Sequence, residues 1–214
     1  MWEAVETAAG VYNETYLSEI DSLIRKLGAK GIYTLVDAHQ DVLTRLICGE
    51  GMPAFYAKEI IDGGAYCLGK YEDKLFSPLL NMLGFCKSIA SYHFDKDSNG
   101  FPLIQECQER NFFEYYTSPE SLTLFRAFYK NNFGLQDKYV AYWTKVASFF
   151  APNEFVVGFD PMNEPFPTQK GLADLLFQQI PGEFDRSELA PMYAKIQDKF
   201  MAASNASIMF FEGG

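Results

Sequence analysis

A chain of 214 residues, 48% hydrophobic and 16% aromatic, is long enough to bury one sizeable core. Its 28 acidic residues against 18 basic ones give a formal net charge of −10, and a surface of that sign repels phosphate backbones and anionic membranes. A nucleic-acid partner is therefore not expected, and a neutral or weakly charged substrate fits better.

The first element in chain order is a helix. Tyr16, Leu17, Ile20, Leu23, Ile24 and Leu27 recur at helical spacing until Gly28 and Gly31 interrupt them. Ile32 to Val36 follows as an almost unbroken apolar run, the pattern of a strand buried on both faces, and ends in Asp37-Ala-His39-Gln40-Asp41.

A long stretch from about residue 48 to 132 comes next. Phe76 to Phe85 and Leu122 to Tyr129 are expected to be helical, and Asp95 to Gly100 reads as a polar turn. A connection of this length usually serves as a lid or a cleft wall. Leu75, Phe76, Leu79, Leu80 and Leu83 suit an apolar slot for a lipid, though any buried helix carries the same run, and that plainer reading is favoured. Cys48, Cys67, Cys86 and Cys107 all fall here, with no Cys-x-x-Cys pair. With only His39 and His93 as histidines, no metal-ligand spacing appears. Disulfides and buried thiols both remain open for these cysteines.

Two further units repeat the order of helix, strand and polar cluster. Tyr139, Tyr142, Trp143, Val146, Phe149 and Phe150 mark a helix face stopped near Pro152, and the strand Phe155 to Phe159 leads into Asp160-Pro-Met-Asn163-Glu164-Pro165. In the third unit Ser187 is placed as a helix cap with Pro191 in the first turn, then Met192, Ile196 and Phe200 on one face, the strand Ser207 to Phe211, and Glu212. Parallel strands alternating with helices fit a doubly wound sheet or a barrel. No G-x-G-x-x-G or phosphate loop follows any strand, and the polar residues gather just after each one, where a barrel carries its active site. The barrel is the better account.

Glycoside hydrolysis needs a carboxylic acid to protonate the departing oxygen and a second carboxylate across the bond, about 5–5.5 Å away in retaining enzymes. Glu164 beside Asn163 offers the donor and a partner for a sugar hydroxyl, although Asn-Glu-Pro is also a common helix start. His39 and Asp41 suit paired hydrogen bonds to sugar hydroxyls, although a capping turn would look the same.

Taken in order, Trp2-Glu-Ala-Val-Glu6, Gly31-Ile-Tyr33, Val36-Asp-Ala-His-Gln-Asp41, Cys48-Gly-Glu-Gly-Met-Pro53, Gly158-Phe-Asp-Pro-Met-Asn-Glu-Pro165 and Phe211-Glu212 are more specific than any one of them. The series resembles the endoglycoceramidases and their relatives within glycoside hydrolase family five, least clearly from about residue 60 to 120. The resemblance implies an α/β fold, a partial (β/α)8 TIM barrel with roughly strands 3 to 5 and a long insertion after strand 3. The whole of 1–214 would then be one piece of a catalytic domain, with about 48–132 lining the cleft. It implies a retaining double displacement that uses no metal and no organic cofactor, acting on a glycolipid or β-glucoside whose aglycone is ceramide or a sterol. Such a substrate allows peripheral contact with a membrane.

By position, the resemblance makes Glu164 the acid/base and Asn163 its sugar-binding neighbour, with His39 and Asp41 lining the sugar subsite. It places an aromatic platform at Tyr129, where a relative more often shows Trp, as also at Phe55 and Phe166. Trp2-Glu-Ala-Val-Glu6 resembles the loop after the second barrel strand, Glu212 belongs to the fifth and is not the nucleophile, and the nucleophilic Glu is expected after the seventh, beyond Gly214. The chain alone is therefore expected to be inactive. Met1-Trp-Glu-Ala lacks the basic and apolar regions of a signal peptide, while two sequons, Asn13-Glu-Thr15 and Asn205-Ala-Ser207, with four Cys suit a secreted or lysosomal/vacuolar lumen protein. A sterol β-glucosidase, a cellulase-like endoglucanase and a non-catalytic carbohydrate-binding derivative are the alternatives.

Overall fold

The computed structural model describes residues 1–68, 72–82, 86–168, 181–204 and 208–214. A short helix α1 (Trp2–Val5) leads into an antiparallel hairpin of β1 (Glu6–Ala8) and β2 (Val11–Tyr12). Helix α2 (Glu14–Gly28) then begins at Asn13, whose side chain accepts the Tyr16 N–H, so the first sequon residue serves as an N-cap. Strand β3 (Thr34–Asp37) follows, one to two residues later than the apolar run suggests.

Strand β3 pairs in parallel with β4 (Val156–Asp160), with Leu35 opposite Gly158 and Asp37 opposite Asp160. On the far side of β4, Phe159 N–H donates to Ile208 O at 2.9 Å and Phe210 N–H donates to Phe159 O at 2.9 Å, a parallel bridge centred on Met209. The third unit thus lies where a strand is expected but pairs only around this bridge; Ser207, with the second sequon, lies outside the described residues. Gly158 makes the approach feasible, since a Cβ there would meet Ile208 O at 2.3 Å.

Helices α8 and the one before Met209 decide between sheet and barrel. To keep chain order, the helices between β3 and β4 are α3 (Ala54–Asp62), α4 (Glu72–Met82), α5 (Ile104–Gln108), α6 (Phe113–Tyr116), α7 (Pro119–Tyr129) and α8 (Leu135–Phe150), and α9 (Ala190–Ala203) precedes the bridge. Phe159 is buried against Trp143 of α8 and Phe200 of α9, whose rings lie 6.0 and 4.9 Å away, and α2 packs beside α8. Gly28 lets the end of α2 close on the Phe155 ring, which a Cβ would overlap. On the opposite face Leu35 is 40% and Phe210 41% exposed. A doubly wound sheet covers both faces with helices, whereas a barrel keeps them outside and turns the other face inward. The described residues follow the barrel pattern.

The stretch between β3 and α8 is held by two disulfides, Cys48–Cys107 and Cys67–Cys86, which resolves the alternative left by the sequence. Helix α7 begins at Ser118, whose Oγ accepts the Ser121 N–H, with Pro119 in its first turn. Helix α4 ends at Met82 within its described range, short of Phe85, and Leu83 to Phe85 lie outside the described residues. Its faces differ: Phe76 and Leu80 pack on the cluster around Cys67 and Cys86, while Leu75 and Leu79 are exposed, so it is not the fully buried helix favoured from sequence. Ser187 is likewise no cap, because it lies inside a π-helical turn (Asp185–Leu189) that runs straight into α9. Pro191, with no N–H to donate, is accommodated at the junction where the hydrogen-bond spacing changes.

Candidate active site

The polar residues after β3 and β4 meet at the carboxyl ends of those strands. Gln40 N–H donates to Asn163 Oδ1 at 2.7 Å, and Asn163 Nδ2 returns a bond to Gln40 O at 3.1 Å. The Gln40 side chain adds bonds to Asn163 O at 3.1 Å and Glu164 O at 3.2 Å, while its Oε1 accepts the Leu43 N–H at 3.2 Å. Gln40 and Asn163 are both buried, and so each polar atom in this clamp needs its partner. The turn before Glu164 is fixed from below as well, since Trp143 Nε1 donates to Pro161 O at 3.1 Å and Tyr139 Oη donates to the same carbonyl.

Glu164 itself is exposed and has φ +40°, a left-handed conformation that a non-glycine residue adopts only when its surroundings impose it. Its carbonyl is held by Gln40, and its N–H donates to Glu212 Oε2 at 2.8 Å.

His39 stands between carboxylates: Nδ1 lies 3.3 Å from Asp37 Oδ2, and Nε2 lies 3.4 Å from Asp41 Oδ2 and 3.9 Å from Glu50 Oε1. Glu50 reaches this point because the Cys48–Pro53 motif folds back, with Asp41 N–H to Glu50 O at 3.0 Å and Glu50 N–H to Asp41 O at 2.7 Å. His39, Asp41 and Glu50 offer ligand atoms all within 4.8 Å of one another. That trio coincides with the candidate sugar subsite, and a carboxylate-rich cluster of this kind serves hydroxyl recognition equally well.

Tyr116, which the sequence gave no reason to single out, joins the two halves. Its hydroxyl donates to Asp41 Oδ1 at 3.4 Å, and burial, helped by the negative charges of Asp41 and Glu164, pushes the phenol up to about 12. Phe166 packs on Tyr116 with ring centroids 4.9 Å apart.

Tyr129 lies behind that pair, one ring further in, across Phe125. It is buried, with rings of Phe125, Phe128 and Phe184 around it, and burial drives its phenol well above the ordinary range. Phe55 is half exposed against Tyr56.

Beneath the clamp sits a layer of acids. Burial pushes Asp160 up to about 6, aided by the charges of Asp37 and Glu212, and burial likewise raises Asp37 in spite of His39. Asp37 and Asp160 are directly opposite in the β3–β4 register, which is why they meet. A second buried acid, Glu6, anchors the opening motif by accepting Trp2 Nε1 at 2.5 Å and Tyr56 Oη at 2.7 Å.

Parallel strands, helices on one face and polar side chains at the carboxyl ends are those of a partial β/α barrel. The comparisons agree. No family model matches the sequence. The chain is 32% identical over 204 residues to an endoglycoceramidase of Cyanea nozakii, covering 95% of this chain and 36% of that one. It is 30% identical over 205 residues to an endoglycoceramidase of Hydra vulgaris, covering 94% and 35%. Among solved structures, endo-glycoceramidase II from Rhodococcus sp. superposes with a TM-score of 0.67 at 23% identity, over 98% of this chain and 38% of that one. The chain is thus similar to endoglycoceramidases, and it spans about a third of the length of the curated relatives it matches.

Proposed function

We propose that these residues form the proton-donor side of a retaining β-glycosidase that cleaves the sugar–lipid bond of a glycolipid. The reading places them as roughly the third to fifth strands of a (β/α)8 barrel, with the disulfide-bearing stretch after the third lining the cleft. The observation that supports it is the reciprocal Gln40–Asn163 pair, which joins residues 123 apart in sequence, each the neighbour of a proposed site residue, His39 and Glu164. Asn163 and the His39–Asp41 cluster would bind hydroxyls of the sugar, and Glu164 would protonate the glycosidic oxygen and then activate water. We assign the aromatic wall of this subsite to Tyr116 with Phe166, which Tyr129 backs through Phe125. The names of the relatives support ceramide as the lipid, and Leu75, Leu79 and Met82 on α4 offer an exposed apolar surface for contact with it or with its membrane.

By the family resemblance Glu212 follows the fifth barrel strand, and we assign the nucleophilic carboxylate to the seventh, outside these 214 residues. Two disulfides suit an oxidising compartment, and we place the protein in a secreted or lumenal setting. The test is release of ceramide from lactosylceramide, followed by mass spectrometry. The 214-residue chain alone should release none. In the intact enzyme Glu164→Gln should lower kcat by roughly 10²–10⁴-fold. Unchanged turnover in that variant would overturn the assignment.

A further inference from the structure

The Glu212 carboxylate stands in an unfavourable place. Its charge acts on Asp37, Asp160 and Tyr193, all groups that negative charge makes harder to ionise. Asp185 lies close by, 3.6 Å from where a Gly213 Cβ would stand. A carboxylate held among acids needs a donor, and here that donor is the main-chain N–H of Glu164, 2.8 Å from Oε2. The backbone of Glu212 is fixed too, since Tyr193 Oη donates to its carbonyl at 3.2 Å.

The same bond completes a grip on Glu164 from both neighbouring units. Gln40, after β3, takes the Glu164 carbonyl, and Glu212, after the Met209 bridge, takes its N–H. Between them the residue sits at φ +40°, which relaxes toward negative φ unless something holds it.

We propose that Glu212 is a positioning residue: by accepting the Glu164 N–H it holds the proton donor's main chain in its left-handed conformation and so sets where that side chain stands. The proposal rests on the reading of Glu164 as the donor, and it gives Glu212 a role distinct from that of a nucleophile. It also explains why an acid follows this strand at all, because a neutral side chain of the same length would grip the N–H less strongly.

The test is read at the Glu164 amide in ¹⁵N-labelled protein. In the native chain this amide proton should lie downfield at neutral pH and move upfield as acid protonates Glu212. Glu212→Gln keeps an acceptor oxygen, so the downfield position should persist in part but lose the Glu212 titration, leaving only the weaker influence of Asp37, Asp160 and Asp185. Glu212→Ala should abolish the downfield position altogether, while the Gln40 and Asn163 amides stay put and show that the fold is intact. In the intact enzyme Glu212→Ala should lower kcat on the order of 10–100-fold with KM little changed, and Glu212→Gln should restore most of it. A Glu164 amide that ignores both substitutions overturns the proposal, as does covalent trapping of Glu212 by an activated 2-fluoro glycoside. If the amide responds but kcat does not, the contact exists without setting the donor and the positioning proposal fails, whereas unchanged turnover in Glu164→Gln would overturn the donor assignment instead.

Discussion

Replacing Gln40 by alanine should damage the site more than any single change to an exposed residue around it. The side chain makes three hydrogen bonds, two from Nε2 to the carbonyls of Asn163 and Glu164 and one from Leu43 N–H to Oε1. Leu43 and Asn163 are buried, so their orphaned N–H and C=O each carry a desolvation cost of about 1–3 kcal/mol. Glu164 is exposed, and water can take over at its carbonyl. The sum is about 2–6 kcal/mol, which for a domain of this size lowers the melting temperature by roughly 4–24 °C. Gln40→Glu keeps the acceptor for Leu43 but sets a carboxylate against two carbonyl oxygens, and it should be at least as damaging at neutral pH. Thermal unfolding followed by circular dichroism reads both. A Gln40→Ala chain that melts within 1–2 °C of the parent would refute the claim that this clamp holds the strand mouths together.

Asp160 makes stability depend on pH. Because its folded pKa is raised to about 6 from the ordinary value of 3.8, the folded state holds the proton more tightly than the unfolded chain, and stability should fall as pH rises between those values. Asp160→Asn keeps the acceptor for Met162 N–H; it should stabilise the fold at pH 7 by up to about 3 kcal/mol, read as a higher melting temperature, and do little at pH 4. Opening Cys48–Cys107, separated by 59 residues, should cost about 4 kcal/mol, against about 3 kcal/mol for Cys67–Cys86, separated by 19, with urea titrations of the Cys→Ser pairs as the measure. The uncovered sheet face at Leu35 and Phe210 should make the chain self-associate with concentration, which light scattering will show.

Much of this was legible before any coordinates. Periodicity placed α2, α8 and the strands β3 and β4, because their apolar faces are continuous and their ends are marked by Gly28, Gly31 and Pro152. That the residues after β3 would meet those after β4 followed from their shared place after parallel strands, and Gln40 and Asn163 make that contact. Tyr116 was not legible, since its role depends on the insertion folding back so that one phenol reaches Asp41 across 75 residues. The burial of Tyr129 was hidden for a related reason: an aromatic at the end of a helix looks the same in sequence whether it is open or, as here, packed against Phe184. The cysteine pairing needed three-dimensional proximity, and the π-helical turn at Ser187 arises from a spacing that capping rules do not describe.

Leaving-group dependence tests the central claim most directly. In the intact enzyme carrying Glu164→Ala, cleavage of a lipid glycoside, whose alkoxide must be protonated to depart, should slow by roughly 10²–10⁴-fold. Formation of the glycosyl-enzyme from a 2,4-dinitrophenyl β-glycoside, whose phenolate leaves unaided, should keep nearly its full rate. Equal losses on both substrates would contradict a proton donor at Glu164.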